Sequence, residues 1–171
     1  MFYPTRHFDS VFDITVDSLK SEGIRAVVLD IDNTLVPYKT EVPDEKVKNW
    51  IGSLRSAGIA VTIASNNNAA RVEKFCSGLD VTYSAKSGKP LTKCIKVAMK
   101  ESGAAKKEIC VIGDQIFTDI LCAGFGGTKS FLLTPIDQNE NIFIKFKRML
   151  EKPIISSYRK HHPEQFTEVK K

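Results

Sequence analysis

The chain has 171 residues, of which 42% are hydrophobic and 26% are charged, as is usual for a folded globular protein of one domain. No apolar run approaches the roughly 20 residues of a membrane-crossing helix, and residues 1–10 lack the apolar segment of a signal peptide. The net charge of +5 comes from residues 145–171, which contain eight Lys or Arg and three Glu. We expect a solvated basic tail there, with an anionic surface as the alternative partner and no nucleic-acid partner.

The four cysteines are widely spaced, and no CxxC or Cys/His pair has the spacing of a metal or redox site. We therefore predict reduced and mostly buried thiols. Together with the lack of a signal segment, this indicates a cytoplasmic protein, with peripheral contact at the inner membrane surface as an alternative location.

Predicted strands and helices alternate along the chain, and glycine or proline delimits most of them. This pattern predicts a three-layer α/β fold of the Rossmann type, with a central parallel sheet of five strands and helices on both faces. We predict one domain over residues 1–150 and a poorly ordered basic tail over 151–171. The strands are expected at 24–31, 59–64, 79–83, 109–112 and 129–133. Helices are expected at 15–22, 43–58, 69–76, 90–103 and 139–150, and a further helix is expected to run through Asp119 and Leu121.

The first predicted strand ends on two carboxylates, Asp30 and Asp32, after the unbroken apolar run 27–29. A run without alternation suits a parallel strand that is buried on both faces. Side chains alternate along an extended chain, so both carboxylates would point to the same side. Two like charges at a buried strand end are costly unless a cation or a shared proton relieves them. For this pair alone, a polar strand end that serves a turn is the alternative.

Polar side chains also follow the other predicted strands. Ser65, Asn66 and Asn67 lie where a strand meets a helix start, a place where the two Asn amides and the Ser65 hydroxyl can bind an anion. Lys89 precedes a predicted helix whose dipole opposes a cation, which indicates a group that faces an anion. Asp114 follows the fourth strand, and Asp119 lies about one turn later. Ligands bind at the carboxyl ends of parallel strands, so these side chains should converge, and their carboxylates predict a magnesium site.

Each of these residues also has a plainer interpretation. Ser65 and Asp114 can cap the helices that follow them, and Lys89 can be a surface lysine in a flexible Ser/Gly loop. Lys86 lies in the same loop and is a rival for the role of Lys89. The loop lacks the spacing of a Walker phosphate loop, which excludes a nucleoside-triphosphate site of that type.

Four motifs in this order resemble those of the haloacid dehalogenase-like (HAD) phosphatases over about residues 10–150. They are Asp30-x-Asp-Asn-Thr-Leu, Ser65-Asn-Asn, Lys89-Pro and Gly113-Asp-x-x-x-x-Asp. The longer forms of the first, second and fourth motifs resemble the bacterial YqeG type of subfamily IIIA, whose relatives include mitochondrial and plastid phosphatidylglycerophosphate phosphatases. One segment differs, because residues 122–127 replace a stretch that often carries Asn and Arg in relatives.

The resemblance implies a phosphomonoester hydrolase that acts through an aspartyl-phosphate intermediate. Asp30 would be the nucleophile, and Asp32 would protonate the leaving alkoxide and then activate the hydrolytic water. Ser65, Asn66 and Lys89 would hold the phosphoryl oxygens.

The resemblance also implies a Mg²⁺ cofactor, held by the carboxylates of Asp30 and Asp114 and the main-chain carbonyl of Asp32, with Asp119 in support through water. The implied reaction is dephosphorylation of phosphatidylglycerophosphate to phosphatidylglycerol. A HAD phosphatase for a soluble phosphate ester or a phosphoprotein is one alternative. A non-catalytic phosphate-binding or receiver-like module is another, although receivers carry the acceptor Asp after the third strand, which here ends at Tyr83.

The motif spacing predicts that there is no cap domain. About thirty residues separate Thr34 from Ser65, one helix and one strand fill them, and the gap before Lys89 is similarly short. A separate lid would need more, because domains exceed about 50 residues. The site should therefore be open, which suits a phosphate on a bulky carrier such as a lipid head group or a protein.

The last predicted helix carries an apolar stripe beside basic residues. We expect the stripe to pack on the sheet, and contact with an anionic membrane is the alternative. The apolar residues are Ile142, Phe146, Met149 and Leu150, and the basic ones are Lys145, Lys147, Arg148 and Lys152.

Overall fold

A parallel sheet of six strands forms the centre of the computed structural model, which describes residues 2–38, 40–137 and 142–166. The strands are β1 (Arg6–Phe8), β2 (Ala26–Leu29), β3 (Ala60–Ala64), β4 (Thr82–Ser84), β5 (Ile109–Gly113) and β6 (Lys129–Leu133). Their order is β1-β6-β5-β2-β3-β4. The α/β class with a parallel sheet is confirmed. The prediction of five strands is wrong, because β1 adds a sixth strand at the edge beside β6.

Strand β2 lies between β3 and β5, and all four of its residues are buried. A parallel strand covered on both faces has no solvent side, which explains its unbroken apolar sequence. From β2 the chain continues through β3 and β4 on one side, and it later fills the other side with β5 and β6. The strand order therefore switches next to β2, and ligands bind at the carboxyl ends of strands at such a switch.

Helices cover both faces of the sheet. They are α1 (Val16–Ser21), α2 (Glu45–Ser56), α3 (Ala69–Cys76), α4 (Lys93–Ser102), α5 (Leu121–Gly126) and α6 (Ile142–His161). Val27 and Leu29 of β2 share one apolar cluster with residues of α1, α2 and α3. Ala26 and Val28, which point the opposite way, share another with α4 and α5. These two clusters define the three layers.

The connections near the site are short. Between β2 and β3 the described residues contain turns and α2, and between β3 and β4 they contain α3. Helix α2 begins after Asp44, whose carboxylate accepts a hydrogen bond from the Val47 amide at 2.8 Å. No additional domain lies in these connections, in agreement with the predicted lack of a cap.

Two helix starts near the site differ from the prediction. Helix α4 begins at Lys93 rather than at Pro90. Lys89 therefore does not lie at a helix N-terminus, and the argument from the helix dipole does not hold. The segment after β5 is a π-helical turn, Ile116–Ile120, that leads into α5.

The C-terminal segment is helical and not a poorly ordered tail up to His161. Helix α6 continues past its predicted end at Leu150, so the predicted division at residue 150 falls inside a helix. Tyr158 is buried, and Phe166 forms a parallel bridge with His7, whose ring stacks on it at 4.5 Å between centroids. The predicted first residues of the helix, 139–141, and the end of the tail, 167–171, lie outside the described residues.

The expectation that the apolar stripe of α6 packs on the sheet is also wrong. Five large apolar residues of its first three turns are exposed, whereas Ile144 is half-buried and Glu151 and Tyr158 are buried. Ile154 and Ile155 pack beside Ile116 of the π-helical turn. In the described part of the chain, no helix combines the length and apolarity needed to span a membrane. The exposed residues are Ile142, Phe143, Phe146, Met149 and Leu150.

Candidate active site

Lys89, Asp30 and Asp119 form a buried ionic cluster beyond the carboxyl end of β2. The Lys89 Nζ donates hydrogen bonds to Asp30 Oδ1 at 2.6 Å and to Asp119 Oδ1 at 2.7 Å. The side chain of Lys89 is only 3% exposed, so its charge depends on these two carboxylates for compensation. Lys86, the rival for this role, is exposed. The structure therefore brings Lys89, and not Lys86, to the strand-end carboxylates.

Asp114 follows β5 and lies next to this cluster. Its side chain is buried, and the hydroxyl of Thr34 donates to its Oδ1 at 3.3 Å. The guanidinium of Arg148 donates to both the carboxylate and the main-chain carbonyl of Asp114. Arg148 also pairs with Glu151, whose carboxylate accepts a hydrogen bond from the Phe117 amide at 3.1 Å. Through Arg148 and Glu151, helix α6 is connected to the acidic residues of the site.

The side chain of Asp119 packs directly against the backbone of Gly113. Its Oδ2 accepts hydrogen bonds from the Gln115 amide at 3.2 Å and the Thr118 hydroxyl at 3.1 Å, within and just before the π-helical turn. A Cβ on Gly113 would lie 2.2 Å from Asp119 Cγ. Only glycine at position 113 therefore leaves room for this carboxylate. Local π-helical geometry of this kind is frequent at functional sites.

The carboxylate of Asp32 points to a different set of partners. Its Oδ2 accepts a hydrogen bond from Asn67 Nδ2 at 2.7 Å, and its Oδ1 pairs with the Arg71 guanidinium. Asn33 has a left-handed φ of 60°, which turns the chain after Asp32. Asp30 and Asp32 both line the same cavity, as the alternation argument predicts.

Ser65 and Asn66 also line the cavity, but their side chains make local bonds. Ser65 is buried, and its Oγ accepts a hydrogen bond from the Asn67 amide at 3.1 Å. The Asn66 carboxamide accepts from the Lys89 amide at 2.8 Å and from Ser87 Oγ at 3.0 Å, and it donates to the Lys89 carbonyl at 3.0 Å. The Asn66 side chain thus fixes the backbone of Lys89, and its predicted contact with phosphate stays a prediction.

The cavity has a volume of about 220 Å³ and lies at the carboxyl ends of the strands. Acidic, amide, hydroxyl and lysine side chains dominate its wall, and Ile144 and Lys147 of α6 form part of its rim. The other lining residues are Asp30, Asp32, Asn33, Tyr38, Ser65, Asn66, Asn67, Lys89, Gln115 and Thr118.

Burial dominates the proton affinities in the site. It raises the pKa of Asp30 to about 7, although the charge of Lys89 partly opposes the shift. It raises the pKa of Asp114 to about 8, against the charge of Arg148. Burial alone would lower the pKa of Lys89, but the charges of Asp119 and Asp30 outweigh it and raise that pKa above its ordinary value. Lys89 is therefore a permanent cation, and Asp30 and Asp114 need further positive charge to be fully ionised at neutral pH.

The donor set fits a hard divalent cation. Asp30, Asp114 and Asp119 each offer a carboxylate oxygen, and these atoms lie within 4.8 Å of one another. Mg²⁺ takes oxygen ligands, usually one or two carboxylates together with waters and substrate phosphate. The carboxylate of Asp32 does not belong to this group among the described residues, so its predicted contribution to the metal rests on its main-chain carbonyl.

The sequence reasoning missed the residues that hold the predicted ones in place. Arg148 was identified only as a basic residue beside an apolar stripe, and Arg71 and the side chains of Asn67 and Thr34 were given no role. Asn67 and Thr34 lie inside quoted motifs, so their position was a usable signal. No sequence pattern connects Arg148 with Asp114, because the two meet only through the packing of α6.

The chain is similar to known phosphatases. The family model described as "Mitochondrial PGP phosphatase" matches residues 1–136. A Bacillus subtilis (strain 168) protein, "Probable phosphatase YqeG", is 31% identical over 159 residues, which cover 93% of this chain and 92% of the relative.

Two solved structures share the fold at low identity. The cobalt-bound deoxy-D-mannose-octulosonate 8-phosphate phosphatase YrbI from Haemophilus influenzae is 16% identical, with a TM-score of 0.55, and covers 81% of this chain and 91% of its own. NagD from Escherichia coli K-12 is 12% identical, with a TM-score of 0.53, over 67% of this chain and 90% of its own. At these identities the similarity concerns the fold alone.

The family match, together with the four motifs, identifies the chain as a phosphatase of the HAD superfamily. Its acidic residues lie after β2 and β5, with a buried lysine between them. Within that superfamily, the chain belongs to the Mitochondrial PGP phosphatase family and is of the YqeG type. The resemblance read from the four motifs is confirmed, and so is the prediction that the chain is a phosphatase.

Proposed function

We propose that this protein is a Mg²⁺-dependent phosphomonoester hydrolase that acts through Asp30 and dephosphorylates phosphatidylglycerophosphate to phosphatidylglycerol. The observation that carries the reaction class is the cluster in which Asp30 and Lys89 line the cavity while Asp114 and Asp119 lie beside them. The match to the PGP phosphatase family supports the substrate.

In the first step, an oxygen of Asp30 attacks phosphorus and the bond to the leaving alkoxide breaks. Lys89 holds Asp30 in place by the bond to Oδ1 at 2.6 Å and offsets its negative charge beside an anionic substrate. Asp32 supplies a proton to the leaving oxygen. Asn67 and Arg71 hold the Asp32 carboxylate in a fixed orientation at the cavity.

In the second step, Asp32 accepts a proton from water, and the resulting hydroxide displaces phosphate from Asp30. The hydroxyl of Ser65 lies at the cavity wall, where it can donate to a phosphoryl oxygen. Asp30, Asp114 and Asp119, with the Asp32 carbonyl, would hold Mg²⁺. The ion would supply positive charge that keeps the carboxylates ionised and reduces repulsion between nucleophile and phosphate.

The substrate assignment draws on the open form of the site. No cap domain lies in the described connections between β2 and β4, so an extended carrier attached to the phosphate would not meet a lid. A phospholipid head group at a bilayer is such a carrier. This substrate would make the protein act as a peripheral enzyme at the cytoplasmic surface of a membrane. A soluble phosphate ester or a phosphoprotein is the second candidate, because an open site admits these as well.

The reaction class is tested with an aryl phosphate. Hydrolysis should require Mg²⁺, stop when a chelator is added, and fall to background in Asp30→Asn. Lys86→Gln, which changes an exposed lysine of the same region, should retain wild-type activity. Undiminished hydrolysis by Asp30→Asn would refute the nucleophile. Acid-quenched enzyme should carry phosphate that hydroxylamine removes, and Asp30→Asn should carry none.

The substrate is tested by comparing turnover of phosphatidylglycerophosphate in mixed micelles with a panel of soluble sugar phosphates, nucleotides and phosphopeptides. The proposal expects the highest kcat/KM for the lipid. A higher kcat/KM for a soluble ester would favour the second candidate. No turnover of any phosphomonoester with Mg²⁺ would favour the non-catalytic module.

A further inference from the structure

The first half of helix α6, residues 142–151, is amphipathic in the opposite sense from an ordinary surface helix. The side chains that it turns toward the protein include Arg148 and Glu151, which bond to each other and to residues near the site. Its outer face carries large apolar side chains, with Ile142 87%, Phe143 65% and Phe146 54% exposed. A helix that only covered the sheet would bury these residues and expose the charged ones.

The exposed apolar face is continuous. Met149 and Leu150 extend it by a further turn, with exposures of 55% and 45%. Beyond them, Pro153 lines a shallow apolar groove together with Phe2 and Tyr3. Monomeric proteins rarely leave so many large apolar side chains adjacent on the surface, and such patches mark contacts with other molecules.

The charges beside this face indicate what covers it. Lys145 and Lys152 are exposed on one side of the apolar residues, and Lys147 lies on the other. A second copy of the chain would bring the same lysines against these, and the like charges would repel. A bilayer with anionic lipids offers an apolar interior for the phenylalanine side chains and phosphate groups for the lysines, which is the usual partner of a basic amphipathic helix.

We propose that the outer face of α6, defined by Ile142, Phe143, Phe146, Met149 and Leu150, is a docking surface for an anionic phospholipid bilayer. The proposal deepens the function proposed above, because Ile144 and Lys147 on the same helix line the cavity. Because α6 carries both the docking face and part of the cavity lining, docking holds the cavity within one helix diameter, roughly 10 Å, of the bilayer surface.

Vesicle flotation tests the proposal without any substrate. The full chain should float with vesicles of equimolar phosphatidylcholine and phosphatidylglycerol and remain unbound with phosphatidylcholine alone. The triple variant Phe143→Ser/Phe146→Ser/Leu150→Ser should bind the anionic vesicles at least about tenfold more weakly, because it removes three apolar side chains from the buried face. Phe125→Ser is the matched control, since Phe125 is 53% exposed on α5, and it should bind as the wild type does.

The lysines are tested separately. Lys145→Gln and Lys152→Gln should each weaken binding to the anionic vesicles roughly fivefold, and raising the ionic strength should weaken binding by the wild type. Wild-type protein that does not bind anionic vesicles, or a triple variant that binds them as tightly as the wild type, would overturn the proposal. A dimer that forms with the wild type in light scattering and is lost in the triple variant would also overturn it, in favour of a second copy.

Failure of the docking surface can be distinguished from failure of the proposed phosphatase reaction. Hydrolysis of a soluble aryl phosphate should be the same in the triple variant as in the wild type, because none of the three side chains lines the cavity. Hydrolysis of phosphatidylglycerophosphate in anionic vesicles should fall by the same factor as vesicle binding. Vesicle binding with no hydrolysis of any substrate would leave the docking surface intact and refute the proposed reaction.

Discussion

Replacement of Lys89 by methionine tests whether one buried cation holds the acidic site together. The substitution removes the only positive charge bonded to both Asp30 Oδ1 and Asp119 Oδ1 among the described contacts, at 2.6 and 2.7 Å. Breaking a buried ion pair by removing one partner costs about 3–5 kcal/mol. The side chains are 3% exposed for Lys89 and 0% for Asp119, so solvent offsets little of this cost. We therefore expect the loss to lie in that range at neutral pH.

For a chain of this size, each kcal/mol shifts Tm by about 2–4 °C, so the metal-free variant should melt on the order of 10 °C below the wild type. Added Mg²⁺ should raise its Tm by more than it raises that of the wild type, because a divalent cation beside the same carboxylates replaces part of the missing charge. Chemical denaturation and thermal melts, each with and without Mg²⁺, measure both effects. Lys86→Met is the matched control and should stay within about 0.5 kcal/mol of the wild type.

Two results would refute this reasoning. One is a Lys89→Met protein whose free energy of unfolding equals that of Lys86→Met. The other is a Mg²⁺-dependent stabilisation that is the same in the variant and the wild type. Either would mean that the carboxylates do not depend on the Lys89 ammonium for their charge balance.

The remaining predictions concern backbone space and protonation. Gly113→Ala should lower stability by about 1–3 kcal/mol and weaken Mn²⁺ binding in calorimetry, because its Cβ would lie 2.2 Å from Asp119 Cγ. Gly52→Ala, in a helix with no atom within 4 Å, should instead stabilise by up to about 1 kcal/mol. Burial raises the folded pKa of Asp30 to about 7 and of Asp114 to about 8, so their protonated forms stabilise the metal-free fold at low pH. That contribution is lost as the pH rises through 7 and 8. Mg²⁺ affinity should rise over the same interval, by up to about tenfold per pH unit for each proton released. An affinity that calorimetry finds constant between pH 6 and 8 would contradict these shifts.

The sequence predicted most of the sheet and of the site because both depend on local patterns. Strand β6 was predicted at its observed bounds, and β3 and β5 each within one residue. Parallel strands bring their carboxyl ends together whatever the details of the loops, so Asp30 and Asp114 could be expected to meet. The missed strand β1 has three residues. It is a strand because it pairs with β6. Its sequence contains no apolar run from which that pairing could be predicted.

The prediction failed where side-chain direction depends on partners far along the chain. The stripe on α6 was expected to face inward because apolar residues usually do. In the structure, the inward positions are held by Arg148 and Glu151, whose partners are Asp114 and the Phe117 amide. Those bonds satisfy polar groups in the interior, and they leave the apolar side chains outside. Helical periodicity predicts that a helix has an apolar and a polar face. It does not predict which of the two faces packs against the rest of the protein.

Arg148 and Phe146 occupy the same turn of one helix and point in opposite directions, the first to the Asp114 carboxylate and the second to the exterior. A rotation of α6 that drew Phe146 under cover would also move the guanidinium away from Asp114. Turning α6 to bury Phe146 would therefore break the contact that brings a guanidinium to the Asp114 carboxylate. The apolar outer surface of the helix is thus the structural counterpart of the positive charge that its inner side supplies.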